Sequence, residues 1–465
     1  MSILRSSTYS LGTKAIETIL NLILLAILAR LLEPKDFGIF AIVLAVQALL
    51  QPLVDMGLTP AYVKAKNPTQ ELQNSFFTLN LALGVFNMLI LLILAPIVSV
   101  IYEDEVLMYL IAIFSFSVVL SSIIRQPEAH LVRNKRFDIL MKISILANLI
   151  TFIVSVYFAY EDYGVWVLVI KSIAFNISMA ILIYYYTKQN YTLRSWNKIK
   201  QFTIELKFGL QIFINRVLNG IFNASDKFIF GKLFGIELLG HYSNAQQIAR
   251  MADTHIRMPI TSAIYSYLER YSDSDKKNFY DKFASIVFLI TSFFSTILIL
   301  EGDILLIYFL GDKWTFASEY IQPFGLFAMG MVFKGISTII AMSENNMIEQ
   351  NKKVLTSFFI FLLIVSLVYT LGLSIYFFVV CLSFSLYVYW LIILIKEIYR
   401  YNKKVIEFIK MLIFVSLLVL TLFYCKQFLQ VDIIRLIVVS CIDLGILLSL
   451  LFSQYRKIIQ GSVIK

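Results

Sequence analysis

Long apolar runs recur along the chain, separated by short stretches where charges and turn residues gather. A helix needs about 20 apolar residues to cross the hydrocarbon core of a bilayer. Fourteen runs are expected to span: 9–32, 37–58, 76–101, 106–124, 139–160, 163–187, 208–234, 238–257, 283–300, 320–342, 354–373, 375–395, 408–425 and 433–452. The seventh, eighth and tenth are the most polar. The longest stretch outside them, about 258–282, is too short for a folded soluble domain. The pattern predicts an all-α membrane protein.

The basic residues orient it. With the N-terminus in the cytoplasm, 29 Lys and Arg fall in cytoplasmic segments or in the span ends beside them, and only Lys35, Lys313 and Lys426 in outer loops. Excess positive charge marks the cytoplasmic side, so both termini are expected there.

The halves repeat. A shift of 202 residues brings Lys14 onto Arg216, Asn21 onto Asn223, Arg30 onto Lys232, Gly38 onto Gly240 and Phe40 onto Tyr242. Leu and Ile matches are cheap in membrane helices; these polar and glycine matches are not. Each unit holds six helices, an even number, so the repeats insert with the same orientation and are related by an axis along the membrane normal. The expected organisation is an N-terminal lobe (1–200, helices one to six), a C-terminal lobe (201–400, helices seven to twelve) and an appended helix pair with a cytoplasmic tail (401–465).

Polar residues in a membrane helix are costly unless they face protein or water. At 100° per residue, Arg216, Asn219, Asn223 and Asp226 share an arc of about 80° on span seven. Lys14, Glu17 and Asn21 hold matching positions on span one. Ser243, Gln246, Gln247, Arg250, Asp253 and Thr254 form a stripe on span eight, and Gln47, Gln51 and Asp55 one on span two, with Pro52 as a kink. The four stripes predict a central, net-cationic, water-filled cavity; hydrogen bonding within a packed bundle is the alternative. Lys171 and Lys334 are lone cations in spans six and ten, either lining that cavity or snorkelling or pairing locally. Arg30 sits near the outer end of span one, at a cavity exit or at the interface.

Composition agrees. Of 465 residues, 59% are hydrophobic and only 15% charged, against about 45–50% and 25% in soluble proteins. The net charge of +10 is accounted for by the cytoplasmic segments, so nucleic acid is not an expected partner. The first run is too long for the apolar core of a signal peptide. Cys381, Cys425 and Cys441 sit in apolar runs, and His130, His241 and His255 form no HExxH pair. Gly231-Lys232-Leu233 lacks the rest of a phosphate-binding loop, and Asp273-Ser274-Asp275 reads as a helix start. No nucleophile–base pair is visible. Neither enzymatic activity nor a cofactor or metal is expected.

Several stretches resemble one known family. Ala29-Arg30-Leu31-Leu32-Glu33-Pro34-Lys35-Asp36-Phe37-Gly38 resembles the "ARLL-x-P-x-DFG" turn between the first two spans of the polysaccharide transporter family. Tyr163-Gly164-Val165-Trp166 is similar to that family's "YGVWAL" stretch. The run from Phe208-Gly209-Leu210 through Asp226-Lys227, Gly231-Lys232-Leu233 and Gly240-His241-Tyr242-Ser243 resembles its seventh and eighth spans. These are Wzx-type flippases of the multidrug/oligosaccharidyl-lipid/polysaccharide exporter superfamily. The resemblance covers about residues 10–260, and the remainder by helix count.

The resemblance implies two six-helix lobes around a cationic cavity in a bacterial inner membrane. It implies an O-antigen, capsule or exopolysaccharide repeat unit on undecaprenyl pyrophosphate as cargo, turned from inner to outer leaflet. Pathway polymerases or glycosyltransferases are possible partners, beside the phospholipid bilayer itself. The residues converge on that picture: a pyrophosphate calls for cations and a glycan for amides. The candidate substrate-binding residues are Lys14, Asn21, Arg30, Gln47, Lys171, Arg216, Asn219, Asn223, Gln247, Arg250 and Lys334. Glu17, Asp55, Asp226 and Asp253 are candidates for coupling to a proton or sodium ion. A lipid II flippase and a multidrug or cation exporter are the rival readings; a membrane polymerase is disfavoured for want of a large outer loop.

Overall fold

The computed structural model describes residues 3–55, 58, 62, 69–188, 191–193, 203–258, 273–344 and 346–401. Among them the chain is helical, with no strand. Each of the first twelve expected spans is a helix; spans thirteen and fourteen lie outside the described residues. Among the described residues, nine helices are long and apolar enough to cross a membrane, matching spans two to six and nine to twelve. The chain parts into two compact units, Met1–Ser243 and Asn244–Lys465.

The first unit holds α1 (Ile3–Leu31), α2 (Pro34–Asp55), α3 (Gln70–Tyr102), α4 (Glu105–Arg133), α5 (Phe137–Tyr160), α6 (Trp166–Thr187), α7 (Thr203–Phe234) and the start of α8 (Ile236–Ala249). Helix α3 packs on α4, α5 on α6 and α1, α4 on α6, and α2 on α7. Turn chemistry sets the boundaries. Pro34 opens α2, where its missing N–H costs nothing. Thr69 caps α3 by accepting from Leu72 N, and Asp104 caps α4 by accepting from Val106 N. Gly235, at φ +94°, lets α7 end and α8 begin after one residue.

The 202-residue repeat is visible in the backbone. Helix α2 begins at Pro34 and α8 at Ile236, and their first turns touch. A Cβ on Gly38 would collide with the Ile236 carbonyl; a Cβ on Gly240 would collide with the Pro34 carbonyl. Each would also stand 3.1 Å from the other glycine's nitrogen. The contact is reciprocal, as a local two-fold axis requires, and only glycine permits it.

The second unit holds a π-helical turn (Ala252–Arg257), α9 (Asp273–Leu310), α10 (Thr315–Ser343), α11 (Met347–Thr370) and α12 (Ile375–Tyr401). Helix α10 packs on α9 and α12, and the π-turn packs against α9 and α10. Its core is aromatic: Trp314, Trp390, Phe288, Phe324, Phe327 and Phe333 are all buried. Span nine runs further than its hydropathy suggests. Expected to stop near residue 300, α9 continues to Leu310 and carries Glu301 fully buried.

Candidate functional site

The polar stripe of α7 changes character along its length. Arg216 is exposed, Asn219 and Asn223 are half-buried, and Asp226 is buried. Asn219 Nδ2 donates to the Asn215 carbonyl at 2.7 Å and to Asn215 Oδ1 at 3.0 Å, which orients the amide along the helix. Helix α2 shows the same gradient. Phe37 to Ile39 are buried, Gln47 to Leu50 are half-buried, and Gln51 is exposed. Gln47 Nε2 donates to Gln51 Oε1 at 3.3 Å. By the expected orientation, both stripes are therefore covered at the outer end and open toward the cytoplasm. A stripe serving only to bond helices together would be buried throughout.

Around Asp226 the covering is specific. Tyr242 OH donates to Asp226 Oδ2 at 3.4 Å, and the Tyr242 ring stacks on Phe230 with centroids 4.2 Å apart. Nearby, Tyr102 OH donates to the Phe228 carbonyl at 2.9 Å, and Lys232 Nζ to the Ile101 carbonyl at 2.8 Å. The C-terminal end of α7 is thereby pinned to the last turn of α3. Asp36 draws together two of the stretches that carry the family resemblance. Its carboxylate accepts from Glu33 N at 3.0 Å and from the Val165 backbone, beside Gly164.

On α1, Glu17 accepts a hydrogen bond from Ser144 Oγ on α5, and Asn21, exposed, donates to the Glu17 carbonyl at 2.9 Å. Arg30 is exposed in the last turn of α1, and Lys171 is half-buried on α6. The side chains of Lys14 and Asp55 lie outside the described residues.

The second unit gathers charge. Asp253 accepts from Nε of Arg257 and, at 3.1 Å, from its Nη2. The Arg257 side chain lies on Gly335, where a Cβ would overlap the guanidinium. The neighbouring Lys334 is 9% exposed, its Nζ 5.9 Å from the centre of the Trp390 ring, in electrostatic reach of Arg250, Asp253 and Arg257. Arg250 lies 5.4 Å over the Phe327 ring. Gln246 is buried and Gln247 exposed, so the stripe expected on span eight is divided between a packed and an open side.

At the C-terminal ends of α10 and α12 and the start of α11 a second charged knot surrounds a small pocket. Lys353 Nζ bonds Glu397 at 2.7 Å and reaches Glu349 at 3.4 Å, while Ser337 Oγ donates to Glu397 or Gln350 at 2.9 Å. Burial raises the carboxyl of Glu344, in the turn beside this pocket, above the usual carboxylate range, with Arg400 opposing the shift. Among the described residues no cluster of His, Cys, Asp or Glu fits a metal ion.

Thus the structure brings together Asp226 with Tyr242, and Asp253 with Arg250, Arg257 and Lys334. Sequence reasoning passed over Ser144, Tyr242, Arg257 and Glu301. The match of Phe40 to Tyr242 was a signal for one of them: the second repeat adds a hydroxyl where Asp226 needs a donor. Arg257 at a helix end carried no such signal.

Comparisons with known proteins agree with this architecture. The family model described as "Polysaccharide biosynthesis protein" matches residues 27–319. A Klebsiella pneumoniae protein, "Uncharacterized membrane protein in cps region", is 24% identical over 343 residues, covering 72% of this chain and 70% of that one. "Lipopolysaccharide biosynthesis protein WzxC" of Escherichia coli is 22% identical over 337 residues, covering 69% and 66%. "Succinoglycan biosynthesis transport protein ExoT" of Rhizobium meliloti is 23% identical over 323 residues, covering 69% and 63%. The alignments thus take in roughly two thirds of each relative's length. Among solved structures, "Lipid II flippase MurJ, inward closed conformation" superposes with a TM-score of 0.71 at 14% identity over 98% of this chain and 100% of that one. An inward-facing multidrug MATE transporter of the MOP superfamily gives 0.62 at 13% identity over 85% and 99%. The fold is the one these two structures share, and the chain, matched over well over half its length, belongs to the polysaccharide biosynthesis protein family.

Proposed function

We propose that the protein is a flippase for an oligosaccharide carried on a polyprenyl diphosphate, undecaprenyl pyrophosphate in bacteria. It moves this cargo from the inner to the outer leaflet of the cytoplasmic membrane. The two six-helix repeats rock about a central cavity, both termini staying cytoplasmic. The observation that carries the reading is the stripe of α7, which runs from exposed Arg216 to buried Asp226. Membership of a polysaccharide biosynthesis family and a transporter fold supply the context.

An Arg at mid-helix costs about 2.5–3.5 kcal/mol on insertion scales. A diphosphate suits its planar fork of donors, and the amides of Asn219, Asn223 and Gln247 suit a glycan. A structural salt bridge from Arg216 to Asp253 is disfavoured, because Arg257 engages both oxygens of that carboxylate. The cation-exporter reading is weakened too. Of its acids, Glu17, Asp226 and Asp253 are already held by Ser144, Tyr242 and Arg257. Coupling to a proton or sodium gradient through one of the four candidate acids, Asp55 among them, is part of the proposal. Polymerases and glycosyltransferases of the pathway would be its neighbours.

Arg216→Ala tests the reading. The variant is expected at normal level in the membrane, with lipid-linked oligosaccharide accumulating in the inner leaflet and glycan export lost; Arg216→Lys should keep part of the activity. Normal export by a well-produced Arg216→Ala protein would overturn it. For coupling, flipping in vesicles should fall when both gradients are collapsed.

A further inference from the structure

Helix α3 carries a line of amides. Gln73, Asn80 and Asn87 recur every seven residues, two turns or about 10 Å apart, and so share one face. They are 8%, 1% and 0% exposed. Gly84 lies on the same face, between Asn80 and Asn87, and a Cβ there would overlap Ser122 of α4. Two turns toward the start of α3, Phe76 shares a core cluster with Ala129 of α4. Both contacts fix one antiparallel register. It sets Asn80 level with Gln126, itself 1% exposed, and Asn87 level with Val119.

The polar atoms of this seam are left over. Among the described residues Gln73 Oε1, Asn80 Oδ1, Gln126 Nε2 and both amide atoms of Asn87 have no hydrogen-bond partner. The Ser122 hydroxyl is spent on the Val118 carbonyl of its own helix. Buried polar groups without partners are costly and few, and here four side chains with such atoms gather on one seam. A rotamer change can join Asn80 to Gln126. It cannot serve Asn87, since the side chain of Val119 offers no bond. The leftover atoms also define their ligand. Donors and acceptors are mixed, and Asn87 needs one of each. A cation takes acceptors only and an anion donors only, whereas water does both and fills buried polar sites of this kind.

We propose that the α3–α4 seam binds a file of water that enters at the cytoplasmic end of the first unit and stops at the middle of the bilayer. On the expected orientation α3 runs outward. Gln73 lies one turn from exposed Thr69, and Asn87 is near the middle of the span expected over 76–101. Beyond Asn87 the buried residues of α3 are Leu91, Ala95 and Val98, which give water nothing to bond. The file is thus open inward and sealed outward, and it wets the seam without a leak across the membrane. Bridging water satisfies amides nearly as well as a direct bond. It also leaves α3 free to shift on α4, where direct amide pairs would lock the two helices. The site lies apart from the polar stripes of α1, α2, α7 and α8 and does not depend on the cargo.

Water-edited solid-state NMR of the full chain in phosphatidylcholine bilayers, with 15N-labelled Asn and Gln side chains, reads the water directly. The Asn80 and Asn87 signals are assigned by their loss in Asn80→Leu and Asn87→Leu. The dry reference is Gln350, fully buried and bonded to Ser337 and Thr338, assigned by Gln350→Met. In the wild type both asparagine amides should take up polarisation from water at least threefold faster than Gln350. The file also has a direction. Asn80→Leu should slow Asn87 to the rate of Gln350, because the path from the cytoplasm is closed, while Asn87→Leu should leave Asn80 wet. Wild-type amides as dry as Gln350 would overturn the proposal without any variant having to fold. A wet Asn87 in a folded Asn80→Leu protein would also overturn it, reducing the file to an isolated water. Should Asn80→Leu fail to fold, Asn80→Met closes the path with a more pliable side chain and carries the same comparison.

Discussion

The end of the first unit expected to face outward and the charged knots of the second are held by different kinds of partner. At the outer end the partners are mostly main-chain atoms. Gly38 and Gly240 meet the carbonyls of Ile236 and Pro34, and Asp36 takes the N–H groups of Glu33 and Val165. Tyr102 and Lys232 reach the carbonyls of Phe228 and Ile101. In the second unit the knots join side chain to side chain: Asp253 with Arg257, Lys353 with Glu397 and Glu349. A main-chain partner cannot be replaced unless a helix moves as a body. A side-chain partner can be exchanged for a ligand by a rotamer change. The first region is built as a contact that is either made or broken, the second as one that can change occupant.

The largest effect should come from Gly240→Val. A branched side chain there meets the Pro34 carbonyl, and backbone atoms cannot yield as a flexible side-chain tip can. The expected cost exceeds about 3 kcal/mol, read as loss of folded, monodisperse protein in detergent. Gly240→Ala should cost less but still cripple folding relative to Gly220→Ala, which meets the Ala48 carbonyl less closely. Full stability of Gly240→Val would dissolve the comparison, because the contact would then not be set by backbone shape.

Next comes Lys353→Met. It leaves Glu397, with a side chain only 12% exposed, without its cation. Breaking a largely buried pair costs about 3 kcal/mol. Glu397→Gln in the same protein should recover most of it, since Ser337 still offers a hydrogen bond. Heat-resistance of the two variants measured side by side reads the recovery. Failure of Glu397→Gln to rescue would mean that this knot, like the outer end, does not tolerate new partners.

How much of this was legible in the sequence depends on where the information lies. Hydropathy located twelve helices, because a bilayer forces every span to declare itself in about 20 residues. The Gly38–Gly240 match at a spacing of 202 pointed to the tightest backbone contact in the first unit. Periodicity placed Asp226 and Arg216 on one stripe, but it could not say that one would be buried and the other exposed; that depends on how far α2 and α8 cover α7. It failed at Glu301, whose charge looked like a helix end although it is fully buried on α9, next to Gly302, which packs on Ile321. It also failed at Arg257, whose seat on Gly335 joins distant segments through a π-turn that no 3.6-residue pattern announces.

The smallest effect belongs to Asp36. Its carboxylate oxygens accept from two backbone N–H groups, one on each side of the junction between the α1–α2 and α5–α6 turns. Asp36→Asn keeps one acceptor oxygen and turns the other into a donor facing a donor, so one of the two N–H groups loses its partner. A lost partner for a partly buried N–H costs about 1 kcal/mol, and Asp36→Ala, which loses both, about 2 kcal/mol. Thermal unfolding of the detergent-solubilised protein should therefore rank wild type above Asn and Asn above Ala, with Asp36→Glu no better than Asn because the longer side chain overshoots the cap. If Asn matched wild type, the tie to Val165 would be immaterial. The outer end would then be held by glycine contacts alone, and the contrast with the charged knots would rest on shape without directed hydrogen bonds.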